Sequence, residues 1–456
     1  MYVFSSLKPE TRNLKPVFLL YSLLLTLGIL ALLPLFLWDA VRHGKYVAGV
    51  GERAGGVREF DAGGRPVIWL HCVSVGEAQA ARPLARALLG RFPSHALVVS
   101  TTTLTGQRVA RGVFSDAAAA VFYFPFDWAW SVRRALRAVR PSVVLLTETE
   151  LWPRFISECH ARGVPVALVN GRISERSFRR YKLIRPFIGP VVSRLRVAIM
   201  QTEEDAARVL ALGAAPGRVA VSGNIKFDLD AGDAPHPLTE ELRRRFRFDG
   251  RRPLIVAAST HAPEESVILK AFGEVGRRGC RPRLLLAPRH PERFAEVAAL
   301  LAASGLSWAR RSSDPAGADA ECDAVLLDTV GELRAAYPLA ELVFVGGSIA
   351  ATGGHNVLEP AAAARCVVTG AHTFNFKEIV RQFRERDALV QLPALDEAGA
   401  PAAFASVILD LLSDDERRRR LGENALATLR HNRGATARTV ELLAPLFVEP
   451  PESSPA

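Results

Sequence analysis

The chain lacks any paired arrangement of cysteine. Its five cysteines, Cys72, Cys159, Cys280, Cys322 and Cys366, are odd in number, scattered, and never in a CxxC or Cys/His spacing. That excludes a disulfide framework, argues against metal held by cysteine, and suits a reducing compartment. No motif resembles a Ser/His/Asp triad. The aromatic pattern of an RNA-recognition motif is also missing, and arginines gather with carboxylates at the ends of apolar runs rather than along one helix. The formal net charge of +11 therefore points away from nucleic acid and towards a lipid surface or a phosphorylated substrate.

Charge of either sign is absent from Val17 to Trp38, VFLLYSLLLTLGILALLPLFLW. A run of this length can cross a bilayer as a helix. A signal peptide would have a shorter apolar core and a small-residue cleavage site, which the following WDAVRHGKY does not offer. The expectation is an uncleaved anchor within residues 1–45. Lys8, Arg12 and Lys15 precede the run and Arg42, Lys45 and Arg53 follow it, so flanking charge sets no orientation. Pro34 allows a kink, and spanning and monotopic insertion both stand.

What is present is a folded composition, 49% hydrophobic and 23% charged, over 456 residues, too many for one core. Strand-like runs alternate with helical stretches: 67–71, 96–103, 120–126, 142–148, 165–170, 197–202 and 219–224. The rhythm restarts at 254–260 and continues through 283–290, 324–329, 342–348 and 366–370. Alternation of this kind predicts α/β domains with parallel, doubly wound sheets. Residues 228–253 lose the pattern and read as a linker between domains at 46–227 and 254–430, with a C-terminal helix and tail over 431–456. Ligands of such sheets bind beyond the carboxyl ends of the strands.

The unusual residues fall at those ends. In HCVSVGE (71–77), Ser74 and Gly76 make a turn and Glu77 opens a helix. Glu77 is either a charge complementing the helix dipole or a base for an acceptor hydroxyl, and the helix end should favour its ionised form. TETELWP (147–153) ends an apolar strand in Glu148 and Glu150, which share a face if the strand continues. NGRISERSFRRYK (170–182) supplies Arg172 and Arg176 among five cations, either a solvated helix face or a contact for a phosphate-rich acceptor at a membrane. ASTHAPEE (258–265) places Ser259, Thr260 and His261 at a turn, and LAPRHPERF (286–294) adds Arg289, His290 and Arg293. VFVGGSIAATGGHNVLEPAAA (343–363) runs from a buried strand through paired glycines into a helix opened near Pro360. It is either a capped turn or a nucleotide-phosphate site with Glu359 on a ribose.

Together these motifs resemble the Kdo transferases of lipopolysaccharide synthesis, which move 3-deoxy-D-manno-octulosonic acid from CMP-Kdo onto a lipid A precursor. The matching pieces, in family order, are VSVGE, TETELWP, NGRISERS, GNIKFD, ASTH, PRHPERF and FVGGSIAATGGHNVLEPAA. The chain departs in its long pre-anchor tail, in Cys72 and Gly171, and in the Ala350–Ala351 pair.

The resemblance implies a GT-B fold, two Rossmann-like domains facing a cleft, and inverting transfer to lipid IVA with no metal and no cofactor. It implies Glu77 as base and Glu148 as orienting group, with Ser74, Glu150, Arg172 and Arg176 towards the acceptor. Ser259, Thr260, Arg289, His290, Gly347, Ser348, Gly353, Gly354, His355, Asn356 and Glu359 would hold CMP-Kdo. The implied place is the cytoplasmic side of a bacterial inner membrane, with the membrane surface as partner and no obligate protein partner. A membrane-associated GT-B enzyme using a UDP-sugar is the alternative.

Overall fold

The computed structural model describes residues 15–43, 49–228, 236–396 and 398–447. They form two compact units, the first comprising residues up to Asp228 together with Arg433 onwards, the second Leu229–Asn432. In the first unit, β1 (Val67–His71), β2 (Ala96–Thr101), β3 (Ala118–Tyr123), β4 (Pro141–Thr147), β5 (Val166–Gly171), β6 (Val197–Met200) and β7 (Val219–Val221) make one sheet. Its order is β3-β2-β1-β4-β5-β6-β7, and every pairing is parallel.

Successive residues of a strand point to opposite faces, so a sheet covered on both sides needs apolar residues throughout. The first sheet shows this directly. Val67, Trp69, Val98, Val144, Leu146 and Leu168 enter one core, and Ile68, Leu70, Leu97, Val99, Leu145 and Ala167 enter the other. The second core is completed by Ala435, Val440 and Leu443, from the C-terminal helix Ala435–Leu443. That helix is tied down by Asp228, whose carboxylate accepts from the Gly434 N–H at 2.7 Å and from the Thr436 N–H.

The second unit repeats the plan with β8 (Leu254–Thr260), β9 (Arg283–Pro288), β10 (Trp308–Arg310), β11 (Ala324–Leu326), β12 (Leu342–Val345), β13 (Cys366–Thr369) and β14 (Val390–Gln391). All pairings are again parallel, in the order β10-β11-β9-β8-β12-β13-β14. The edge strands β10 and β14 escape the sequence pattern because they are short and only half-buried. Of the stretch read as a linker, 229–235 lies outside the described residues and Pro237–Arg245 is a helix of the second unit.

The apolar N-terminal run lies in helix α1 (Lys15–His43). Its first turns dock on the first unit: Phe18 is buried, Tyr21 Oη donates to Asp127 Oδ2 at 2.8 Å, and Trp128 Nε1 donates to Thr26 Oγ1 at 3.0 Å. Leu19, Leu20, Leu23, Leu24, Leu27 and Leu30 face outward. Among the described residues no helix is long and apolar enough to cross a membrane. The tail from 448 onwards lies outside the described residues.

Candidate active site

The first unit gathers carboxylates at the ends of β1 and β4. After β1 the chain turns at Val73–Ser74 and enters helix α3 (Val75–Arg91) with Ser74 as N-cap, its Oγ accepting the Glu77 N–H. Glu77 returns the contact, its Oε1 accepting from Ser74 Oγ at 2.9 Å and its Oε2 from the Val73 N–H at 3.0 Å. This reciprocal capping fixes the carboxylate without using the rest of the helix. Thr147 Oγ1, from the end of β4, lies 2.7 Å from Glu77 Oε2 and 2.9 Å from the His71 carbonyl, its single proton going to one of them.

Burial raises the Glu77 pKa above the ordinary carboxylate value, the neighbouring Glu148 charge raises it further, and the hydrogen bonds from Thr147, Val73 and Ser74 oppose both. The expected ionising effect of the helix end is therefore outweighed, because the group sits in a low-dielectric pocket beside a like charge. A base with a raised pKa takes a proton more readily.

The strand does not continue through Glu148 and Glu150, as a shared face would need. β4 stops at Thr147, and Glu148 takes the left-handed conformation at φ 54°, reversing the chain. Glu148 Oε1 then meets Lys226 Nζ at 2.6 Å. Lys226 is a site residue that reasoning on single motifs passed over, although GNIKFD follows β7 as the other motifs follow theirs. Glu150 is pushed up to about 7, by burial first and then by the charges of Glu77 and Glu148. Arg172 lies next to this group, its carbonyl accepting from Thr149 Oγ1. Arg176 sits exposed in the first turn of the helix Glu175–Leu183, and no contact among the described residues ties it to the carboxylates.

The second unit places a different chemistry at the matching strand ends. β8 ends at Ser259, in the left-handed region at φ 53°, and buried Thr260, whose carbonyl accepts the Arg289 N–H from the end of β9. His261 and His355 lie ring on ring with centroids 5.0 Å apart, and their Nε2 atoms are 2.8 Å apart. One nitrogen donates and the other accepts, and burial lowers the pKa of both rings, which favours the neutral form of each. Burial and then the nearby His261 hold the His355 pKa down to about 3. His290 packs edge-on against His261. Asn356 Nδ2 donates to Glu359 Oε1 at 3.2 Å, and burial raises the Glu359 pKa against the pull of Asn356, Arg334 and Arg289.

The glycine loop after β12 corrects one expectation. The N–H groups of Gly347, Ser348, Ile349 and Ala350 all converge on Glu264, at 2.7, 2.9, 2.8 and 3.2 Å. Glu264 opens the helix Glu264–Arg277, is fully buried, and also accepts the His261 N–H at 3.0 Å. Gly347 and Ser348 thus offer their N–H groups to an internal carboxylate and not to a phosphate. Gly346 leaves room for this, since a Cβ there would stand 2.7 Å from Glu264 Oε2. The Gly354 N–H is likewise turned inward, donating to the Gly347 carbonyl, while the Gly353 carbonyl accepts the Asn375 N–H. His355, Asn356, Glu359, Arg289 and His290 remain as the polar groups at this end of the sheet. Among the described residues no group of three or more His, Cys, Asp or Glu is arranged to hold a metal ion.

Two all-parallel, seven-stranded units with polar clusters at their strand ends make a GT-B-like fold. Solved structures agree on the fold: a putative UDP-N-acetylglucosamine 2-epimerase from Listeria monocytogenes (TM-score 0.56, 15% identity, 86% of this chain and 100% of that one) and a glycosyltransferase from Rickettsia africae (TM-score 0.54, 10% identity, 85% and 100%). Residues 48–229 match the family model described as 3-deoxy-D-manno-octulosonic-acid transferase (kdotransferase). Proteins named 3-deoxy-D-manno-octulosonic acid transferase are similar over most of their length, from Haemophilus influenzae (35% identity, 89% of this chain and 93% of that protein) and Bordetella pertussis (36%, 91% and 96%). The chain belongs to the 3-deoxy-D-manno-octulosonic acid transferase family, and it is a glycosyltransferase.

Proposed function

We propose that this enzyme transfers Kdo from CMP-Kdo to a hydroxyl of a lipid A precursor, lipid IVA, in lipopolysaccharide synthesis. The acceptor oxygen attacks the anomeric carbon of Kdo, the bond to the CMP phosphate breaks, and the acceptor proton passes to Glu77. The configuration inverts because one displacement occurs. The observation that carries the reading is Glu77 itself, a carboxylate fixed by Val73, Ser74 and Thr147 with its pKa raised beside Glu148. Lys226 partners Glu148 and limits the repulsion in the cluster. In the second unit, Arg289, His290 and the neutral pair His261–His355 receive the donor phosphate and Kdo carboxylate, and Glu359 receives the ribose. A nucleoside monophosphate carries little enough charge for arginine and histidine to stabilise it on departure.

The acceptor and the enzyme meet at the cytoplasmic face of the inner membrane. Helix α1 supports this placement, with its leucines outward and its Tyr21, Ser22 and Thr26 side held by Asp127, Arg154 and Trp128. Deleting residues 1–40 should release the protein from membranes while transfer to detergent-dispersed acceptor stays measurable. Retention in alkali-washed membranes would remove α1 as the anchor. The chemistry is tested by Glu77→Gln, which keeps the shape but cannot take the proton. Single-turnover transfer should fall about 10²–10⁴-fold while CMP affinity holds. Near-normal turnover would remove Glu77 from the mechanism.

A further inference from the structure

The first unit contains a polar cleft of about 670 Å³ past the end of β3. Its walls are helix α2 (Val50–Arg53), the segment to Arg58, helix α4 (Leu104–Val113) and Tyr123 at the end of β3. The polar lining divides into groups that are committed and groups that are not. Glu52 Oε2 accepts the Tyr123 N–H at 2.9 Å, and Gln107 Nε2 donates to the Val121 carbonyl at 3.0 Å. Arg53, below them, donates to the Thr102 carbonyl and lies over the Tyr123 ring. Arg58, Arg108 and Arg111 have no hydrogen-bond or ion-pair partner among the described residues. Arg108 and Arg111 stand at i and i+3 on α4, so they share one face. Three guanidinium groups thus line a cleft whose one lining carboxylate is already occupied. Each presents a rigid fork of donors suited to the oxygens of phosphate.

Two further features say what kind of molecule carries that phosphate. Leu104 and Val50 line the same cleft and are exposed, so the cations have apolar residues at their edge. The cleft is also coupled to the base. Thr103 caps α4, the Thr102 N–H reaches the Val73 carbonyl at 3.4 Å, and a Cβ on Gly106 would stand 3.2 Å from that carbonyl. Val73 is the residue whose N–H holds Glu77. The helix carrying Arg108 and Arg111 therefore rests on the turn that positions the base.

We infer that this cleft binds a phosphate ester of the amphiphilic acceptor, with Arg58, Arg108 and Arg111 on the phosphate oxygens, and so sets which acceptor hydroxyl faces Glu77. The inference rests on the acceptor reading above but is read by its own measurement. Inorganic pyrophosphate serves as the direct probe. It should bind the whole protein with a strong salt dependence, and R108A/R111A should weaken that binding at least tenfold while leaving CMP affinity as it was. R108K/R111K, which keeps charge but loses the fork, should fall between them. In transfer assays the double alanine variant should raise the acceptor KM at least tenfold. With the acceptor's phosphates removed enzymatically, wild type and variant should converge. Equal pyrophosphate binding by wild type and R108A/R111A overturns the proposal, and so does a variant that still distinguishes phosphorylated from dephosphorylated acceptor as wild type does. Absence of Kdo transfer by the wild type would instead overturn the acceptor reading, and pyrophosphate binding would still decide the cleft.

Discussion

Each unit places a glutamate in the first turn of the helix that follows its first strand, and the two are used in opposite ways. Glu77 takes fixed donors from Val73 and Ser74 and lies beside two other carboxylates, and burial and the Glu148 charge raise its pKa against those hydrogen bonds. Glu264 is sealed under five backbone N–H groups, four of them from one loop. The same topological position holds the proposed base in one unit and a loop anchor in the other. What separates them is the number of fixed donors and the sign of the neighbours. Carboxylates crowd Glu77, whereas histidines and Arg289 surround the strand ends near Glu264.

Matched substitutions test that contrast most severely. Glu77→Gln should reduce single-turnover rate about 10²–10⁴-fold with the melting temperature within a few degrees of wild type. Glu264→Gln puts an amide NH₂ against the loop's N–H groups, and its cost should appear as stability, about 3–5 kcal/mol for breaking a buried charged network. Urea unfolding followed alongside turnover reads both. Equal stability loss in the two variants would erase the distinction.

A smaller effect concerns pH. If Glu148 raises the Glu77 pKa by repulsion, Glu148→Gln removes that charge and leaves Lys226 nearby, and both changes lower it. The acid limb of the rate profile should then move to lower pH. A limb that moves upward, or stays put, would detach Glu148 from the base. Smallest is the effect of Glu150, whose pKa rises from the ordinary 4.5 to about 7 in the fold. Between those values the folded state holds the proton more tightly, so the contribution is complete below 4.5 and lost as pH rises through 7. Glu150→Gln should therefore raise the melting temperature by about 2–4 °C at pH 8.5, on the scale of 1 kcal/mol, and little at pH 4.5.

Much of this was legible before the fold. Parallel strands covered on both faces must be apolar throughout, so the central strands announce themselves, whereas β10 and β14 are short, half-buried edges with little to announce. The clustering of motifs at strand ends also carried through, because strand ends of one sheet are brought together by topology. What stayed hidden depends on contacts between distant segments. Nothing near Glu264 shows that a loop more than eighty residues onward closes over it. Lys226 becomes meaningful only when β7 brings it to Glu148. The turn at Glu148 is a left-handed residue where apolar patterning suggested more strand. The Arg58–Arg111 cleft joins segments that show no shared motif.

The Asp228 carboxylate that binds Gly434 and Thr436 has a consequence for the chain's connectivity. Residues 228 and 434 are clipped side by side within the first unit, so everything between them is a single loop closed at its neck. The second unit is, in topological terms, an insert in the first. Excising residues 229–432 and bridging the neck with a few glycines should leave a shorter protein that folds around the Glu77 cluster, whereas trimming the C-terminal helix Ala435–Leu443 should damage the first unit from a point more than two hundred residues further along the sequence.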